Sequence, residues 1–176
     1  MSMIANYMHI PPEQLAELQA DPGSISNFLE LLYPDEQADE DTEGDLPKIR
    51  HLDIDKAWHG IHYLLNGRAW EGEPPLFNVV FGGTELGDED LGYGPARYLT
   101  PEEVRETYLA LERISVDDLR ARYNARAMTK AEIYPEIVWE RDGDLALQYL
   151  VDYYVEVVEF FEEATRLGDA MLLYMD

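Results

Sequence analysis

The pattern of apolar and polar positions changes character along the chain, and each change marks an element. Residues 144–167 carry the clearest signal. Leu147, Leu150, Tyr154, Val157, Val158 and Phe161 recur at intervals of three and four, which is one face of a long helix, and Gly168 stops it. The closing "DAMLLYMD" then runs apolar without a break, the mark of a strand buried on both faces. At the other end "MIANYMHI" (3–10) reads as a first strand, halted by Pro11 and Pro12. Leu15 and Leu18 predict a short helix behind those prolines. Ile25, Phe28, Leu29 and Leu32 predict a second helix over 23–33.

The middle of the chain is punctuated by caps. "LDIDKAWHGIHYLLNG" (52–67) predicts a helix with Asp53 as its N-cap and Asn66-Gly67 as its stop. Ala96 to Leu99 predict a short strand. Thr100, Pro101 and Glu103 then form a capping box that opens a helix running to about Arg113. Ser115 with Asp118 opens another, through Asn124. "LFNVVFGG" (76–83) is ambiguous, and 131–142 reads as extended or irregular. The fold class expected is α+β: one domain over 1–176, a small mixed β-sheet covered by several helices, with the long C-terminal helix followed by a central final strand.

Charge narrows the function classes. Thirteen basic against thirty-seven acidic residues give a formal −24. Nucleic acid and anionic membranes are therefore not expected partners, since both require clustered Lys and Arg. A solubility surface is the plainer reading of this charge, and an acidic surface shaped for a basic protein partner the sharper one. The loop 34–47 holds seven acids and no base. Within it 39–45 imitates the start of a calcium loop, but the twelfth position falls on Arg50 where a bidentate Glu is needed. The chain has no cysteine, no basic leader at its start and no apolar run near the ~20 residues that span a bilayer, so we expect a soluble, cytoplasmic protein.

Candidate chemistry concentrates in the predicted helix at 53–66. At about 100° per residue, Asp55, His59 and His62 share an arc of about 60°, apart from the apolar face of Ile54, Trp58, Ile61 and Leu65. Those spacings could bring all three to one point. The plainer reading is a helix-end carboxylate paired with His59 one turn on, with Trp58 inward and His59 toward solvent. The ligand set is incomplete and no HExxH pattern supplies a base, so no metal and no cofactor are expected. The serines, Ser2, Ser24, Ser26 and Ser115, include no nucleophile elbow, and "GYGPARYL" opens no helix after a long strand.

A second group is basic and aromatic. Arg120, Arg122, Arg126 and Lys130 form an island, flanked in sequence by Tyr93, Arg97, Tyr98, Tyr134 and Trp139, which could line a cleft for a small anion; pairing of these bases with the surplus carboxylates is the plainer expectation. On the C-terminal helix Asp152, Glu156, Glu159 and Glu163 lie within about 60° of one another, a ridge that a basic partner could use.

"LDIDKAWHGIHYLL", "GYGPARYLTPEEV", "EIYPEIVW" and "GDAMLLYMD", in this order, resemble the YfbM-like family, a bacterial family of domains of unknown function. The resemblance runs essentially the length of the chain. It implies an α+β fold and supplies no activity, cofactor or functional residue. The missing nucleophile, the incomplete ligand set and the acidic charge lead us to expect a non-enzymatic binding or protein-interaction domain, regulatory or inhibitor-like. The alternative is a hydrolase or small-ligand enzyme using a polar cleft near Asp55, His59 and His62.

Overall fold

The structure, a computed structural model, describes residues 2–32 and 50–176. The acidic loop and its calcium-like spacing lie outside the described residues.

Five strands form one sheet: β1 (Ala5–Ile10), β2 (Arg50–Asp53), β3 (Thr84–Glu85), β4 (Arg97–Leu99) and β5 (Ala170–Met175), in the order β2-β1-β5-β4-β3. The final strand is central, as its unbroken apolar run requires. Alternate residues of β5 feed two separate cores. Met171 and Leu173 join Tyr7 and Leu99 on one face, and Ala170, Leu172 and Tyr174 join Met8 and Ile10 on the other. The strand directions refine the expected mixed sheet: every pairing is antiparallel. A continuous apolar strand is typical of parallel sheets, but here it follows from helices covering both faces.

The helices α1 (Pro12–Ala20) and α2 (Ile25–Leu32) cover the smaller core through Leu15, Leu18 and Ile25. The larger core lies under α3 (Trp58–Asn66), α4 (Pro101–Leu111), α5 (Val116–Arg122), α6 (Ala125–Lys130), α7 (Val138–Asp142) and α8 (Asp144–Leu167). The caps at Thr100 and Ser115 are complete capping boxes, and Gly67 and Gly168 end α3 and α8 in the left-handed conformation. Helix α8 buries Leu150, Tyr154, Val157, Phe161 and Ala164, and turns Asp152, Glu156 and Glu159 to solvent. Among the described residues no helix is long and apolar enough to cross a membrane.

Candidate functional site

Asp53 ends β2 rather than capping α3. Its Oδ1 accepts the Asp55 N–H at 2.6 Å, and Asp55 sits at φ +48, a conformation that Asp tolerates better than most residues. A 3-10 turn, Asp55–Ala57, then leads into α3. This turn aims the Asp55 side chain at α8, where Tyr149 donates its hydroxyl to Oδ2 at 2.9 Å. The Tyr149 oxygen in turn accepts the Lys56 N–H at 3.1 Å. The expected Asp55–His59 pair is thus corrected, and the alternative in which Asp55 meets both histidines is not formed either.

Both histidines are fully buried, which overturns the expectation that His59 faces solvent. The cause is a cover that α3 periodicity could not show: the segment 69–81 folds over the polar side of the helix. His59 Nε2 lies 2.7 Å from the Ala69 carbonyl, and Nδ1 accepts the Tyr134 N–H at 2.9 Å. Its ring stacks on Trp58 at 4.8 Å and 10°. The His62 ring packs against Phe81 at 4.5 Å, and its Nδ1 lies 3.2 Å from Asn66 Nδ2. Among the described residues no hydrogen bond of ordinary geometry reaches its Nε2, although the nearby Glu71 backbone favours the charged form. Burial lowers both pKa values, that of His62 to about 4. Both imidazoles are therefore neutral at neutral pH, and His59 has each nitrogen committed to backbone. Among the described residues no three His, Asp or Glu side chains gather as metal ligands would.

The same covering segment builds a cleft of about 340 Å³. Its lining includes the mutually packed Trp58, Trp70 and Phe81 together with Arg97, Glu85 and Tyr93. Trp58 is fully buried, held between His59 and Tyr134, with its Nε1 donating to the Met3 carbonyl at 2.9 Å. Trp70 is 57% exposed although its ring lies 4.3 Å from His59 and 5.6 Å from Phe81. Arg97 is fixed from below: its guanidinium donates to the Gly82 carbonyl at 3.0 Å and to the Val80 carbonyl at 2.8 Å. Glycine makes this approach feasible. Gly83 has φ +93, and a Cβ there would stand 2.6 Å from the Tyr98 carbonyl oxygen. Glu85 lies opposite Arg97 in the β3–β4 register, but the two form no salt bridge.

A family model described as a domain of unknown function, DUF1877, matches residues 1–174. The chain belongs to the DUF1877 family. Protein YfbM of Escherichia coli (strain K12) is 26% identical over 132 residues, covering 72% of this chain and 77% of the relative. The crystal structure of YfbM from Escherichia coli, a protein of unknown function, aligns with a TM-score of 0.71 at 22% identity. That alignment covers 98% of this chain and 99% of the other, and it speaks for the fold alone. The YfbM-like resemblance carried by the four motifs is confirmed.

Within this DUF1877 fold the five aromatic and basic candidates separate. Tyr93 and Arg97 line the cleft; Tyr134 stands behind Trp58 at 5.5 Å. Tyr98, next to Arg97 on β4, points to the opposite face of the sheet and joins the smaller core. Trp139 is fully buried and donates to the Ile133 carbonyl at 2.6 Å, so it is a core residue. Among the described residues no salt bridge holds the basic island: Arg120 donates to Gln148 Oε1 at 2.6 Å and Arg122 to the Leu64 carbonyl at 3.1 Å, with Asp118 in electrostatic reach of Arg122. On the acidic ridge Glu163 takes both Arg166, at 3.2 Å, and Arg50, while Asp152 accepts from Gln148 at 2.7 Å. Trp70, Phe81 and Glu85 were not anticipated as a site. Their one sequence signal was aromatic residues in a segment rich in Gly and Pro, where no periodicity indicates a facing partner.

Proposed function

We propose that this DUF1877 chain is a non-enzymatic binding protein, and that its cleft takes a small planar molecule carrying a carboxylate. The observation that carries the reading is the Arg97–Trp70 juxtaposition. Arg97 is a partly buried guanidinium, oriented by two carbonyls, with no carboxylate bound to it among the described residues. Trp70 is a large ring left exposed beside it. A guanidinium fork matches a carboxylate, and an indole offers a stacking face. The formal charge of −24 disfavours large anions, so ring stacking must supply part of the affinity for a small one. Binding rather than catalysis is supported by the two neutral histidines, neither of which shares this space with Asp55. The acidic ridge at Asp152, Glu156 and Glu159 is the surface we would offer to a basic protein, on charge alone.

Tryptophan fluorescence titration with a panel of aromatic carboxylates, their amides and acetate tests the reading. We expect the carboxylates to bind, and the amides and acetate to fail. Trp70→Ala and Arg97→Lys should each weaken binding about tenfold, the Lys because it keeps charge but loses the fork. Equal binding of acids and amides, or none across the panel, would end the proposal.

A further inference from the structure

A second groove, of about 500 Å³, shares no lining residue with the aromatic cleft. Its walls are Pro135 and Val138 on one side, Leu145, Ala146 and Tyr149 from the start of α8 on another, and Asp55 and Lys56 at the end. Leu145 is 77% exposed, and Ile137, next to Val138, is 72% exposed, higher than any other large hydrophobic side chain among the described residues. Chance leaves single apolar residues outside, but here the most exposed of them, Leu145, lines a concave apolar surface.

The rim is acidic. Asp55 and Asp142 line the groove, and Asp144 stands exposed at the start of α8 next to Leu145. Arg141 is committed to Asp142 through two hydrogen bonds of 2.7 Å, which leaves Lys56 as the cation of the lining. Asp55 accepts the Tyr149 hydroxyl at Oδ2, and its φ of +48 is held against the ordinary preference of an L-residue. Strain kept at a groove wall is a pointer to use.

We propose that this groove docks a helical segment of a partner protein that presents an apolar side chain flanked by lysine or arginine. Leu145, Val138 and Pro135 would receive the apolar side chain, and Asp55 with the exposed Asp144 the basic flanks. Charge decides against a second copy of this chain as the occupant, since each copy would bring the same acidic rim to a molecule that already carries −24. This inference does not rest on the ligand proposed for the aromatic cleft.

The test is fluorescence anisotropy with three labelled synthetic helices: one amphipathic Lys/Leu, one Glu/Leu and one Lys/Ser. They are titrated against the full chain and its Leu145→Ser, Leu145→Gln and Val155→Ser variants, with sedimentation of the unliganded protein alongside. Val155 is exposed on α8 outside the groove, so its variant controls for stickiness. The expected result is that only the Lys/Leu helix binds with saturation, and that Leu145→Ser weakens it about tenfold while Val155→Ser leaves it unchanged. Leu145 is mostly solvated, so Leu145→Ser should melt like the parent; Leu145→Gln, which keeps the length of the side chain, gives the same reading if it does not. Equal binding of the Lys/Ser helix, binding of the Glu/Leu helix, or equal effects of Leu145→Ser and Val155→Ser would overturn the proposal. So would a dimer that dissociates on Leu145→Ser, which would make a second copy the occupant.

Discussion

His59 Nδ1 accepts a hydrogen bond from the Tyr134 backbone N–H at 2.9 Å, and this one contact fixes the state of the imidazole. Nδ1 must be unprotonated to accept, so the hydrogen sits on Nε2 and is donated to the Ala69 carbonyl at 2.7 Å. Protonation would break the first bond inside a fully buried site.

Stability should therefore fall on mild acidification. Burial lowers the pKa of His59, and that of His62 to about 4, while the unfolded chain takes up protons near pH 6.5. The unfolded state then binds more protons, so this stability is fully present above about pH 6.5 and is lost as pH falls toward the folded values. For His62 alone the loss is on the order of 3 kcal/mol by pH 4. Carboxylate protonation, which relieves the surplus negative charge, opposes the loss only below about pH 5. Urea unfolding at neutral pH and near pH 5 measures the difference, and His62→Gln should reduce it. A stability unchanged across that interval would show that the histidines are not held neutral.

Those histidines mark what the sequence could and could not disclose. Helix α8, its Gly168 stop and the central β5 were legible because each carries its own periodicity or cap. The capping boxes at Thr100 and Ser115 were legible for the same reason. Strand β2 was missed because it is an edge strand with Leu52 as its one apolar side chain between Arg50, His51 and Asp53. The burial of His59 was missed because its partners are backbone groups at Ala69 and Tyr134, which any residue could supply. The cleft follows from the path of 69–83, whose conformation depends on Gly82 and Gly83 fitting against Asn78 and Tyr98 rather than on hydrophobic pattern. Asp55 and His59 share an arc only on a continuous helix; Asp55 itself sits at φ +48, ahead of α3, and its carboxylate meets Tyr149 instead.

Gly60→Ala should destabilise, against helix propensity. A Cβ at Gly60 would stand 2.6 and 2.9 Å from the two Leu150 Cδ atoms and 2.9 Å from Trp139 Cη2. Leu150 and Trp139 are both fully buried, so neither can swing away into solvent. Alanine gains about 1 kcal/mol of propensity in a helix interior, but overpacking costs about 1–3 kcal/mol. A lowered thermal midpoint, partly restored by adding Leu150→Val, is the expected outcome. A raised midpoint would mean that α3 and α8 do not meet this closely.

Tyr149→Phe should lower stability by about 1–1.5 kcal/mol. The hydroxyl is donor to Asp55 Oδ2 and acceptor for the Lys56 N–H, so its removal strands two groups at the strained turn. A double-mutant cycle with Asp55→Asn, read by urea unfolding, should show coupling between the two positions. Additive effects would indicate that the hydroxyl and the carboxylate act independently.

The acidic ridge of α8 provides a salt-dependent test. Glu156 and Glu159 are exposed and form no salt bridge among the described residues, whereas Glu163 is held by Arg50 and Arg166. Like charges one turn apart on a helix cost about 0.2–0.5 kcal/mol per pair. Helix α8 must then be held by its apolar face, from Leu150 through Phe161, against the sheet and α4. Replacing Glu156 and Glu159 together by Gln should raise the thermal midpoint slightly at low salt. The gain should shrink as ionic strength rises, because screening reduces exposed charge pairs first. Glu163→Gln should behave in the opposite way, since it removes the carboxylate that two arginines share. A destabilised Glu156/Glu159 double variant would reveal structural partners for these acids, and the ridge would then cease to be a surface free for a basic protein.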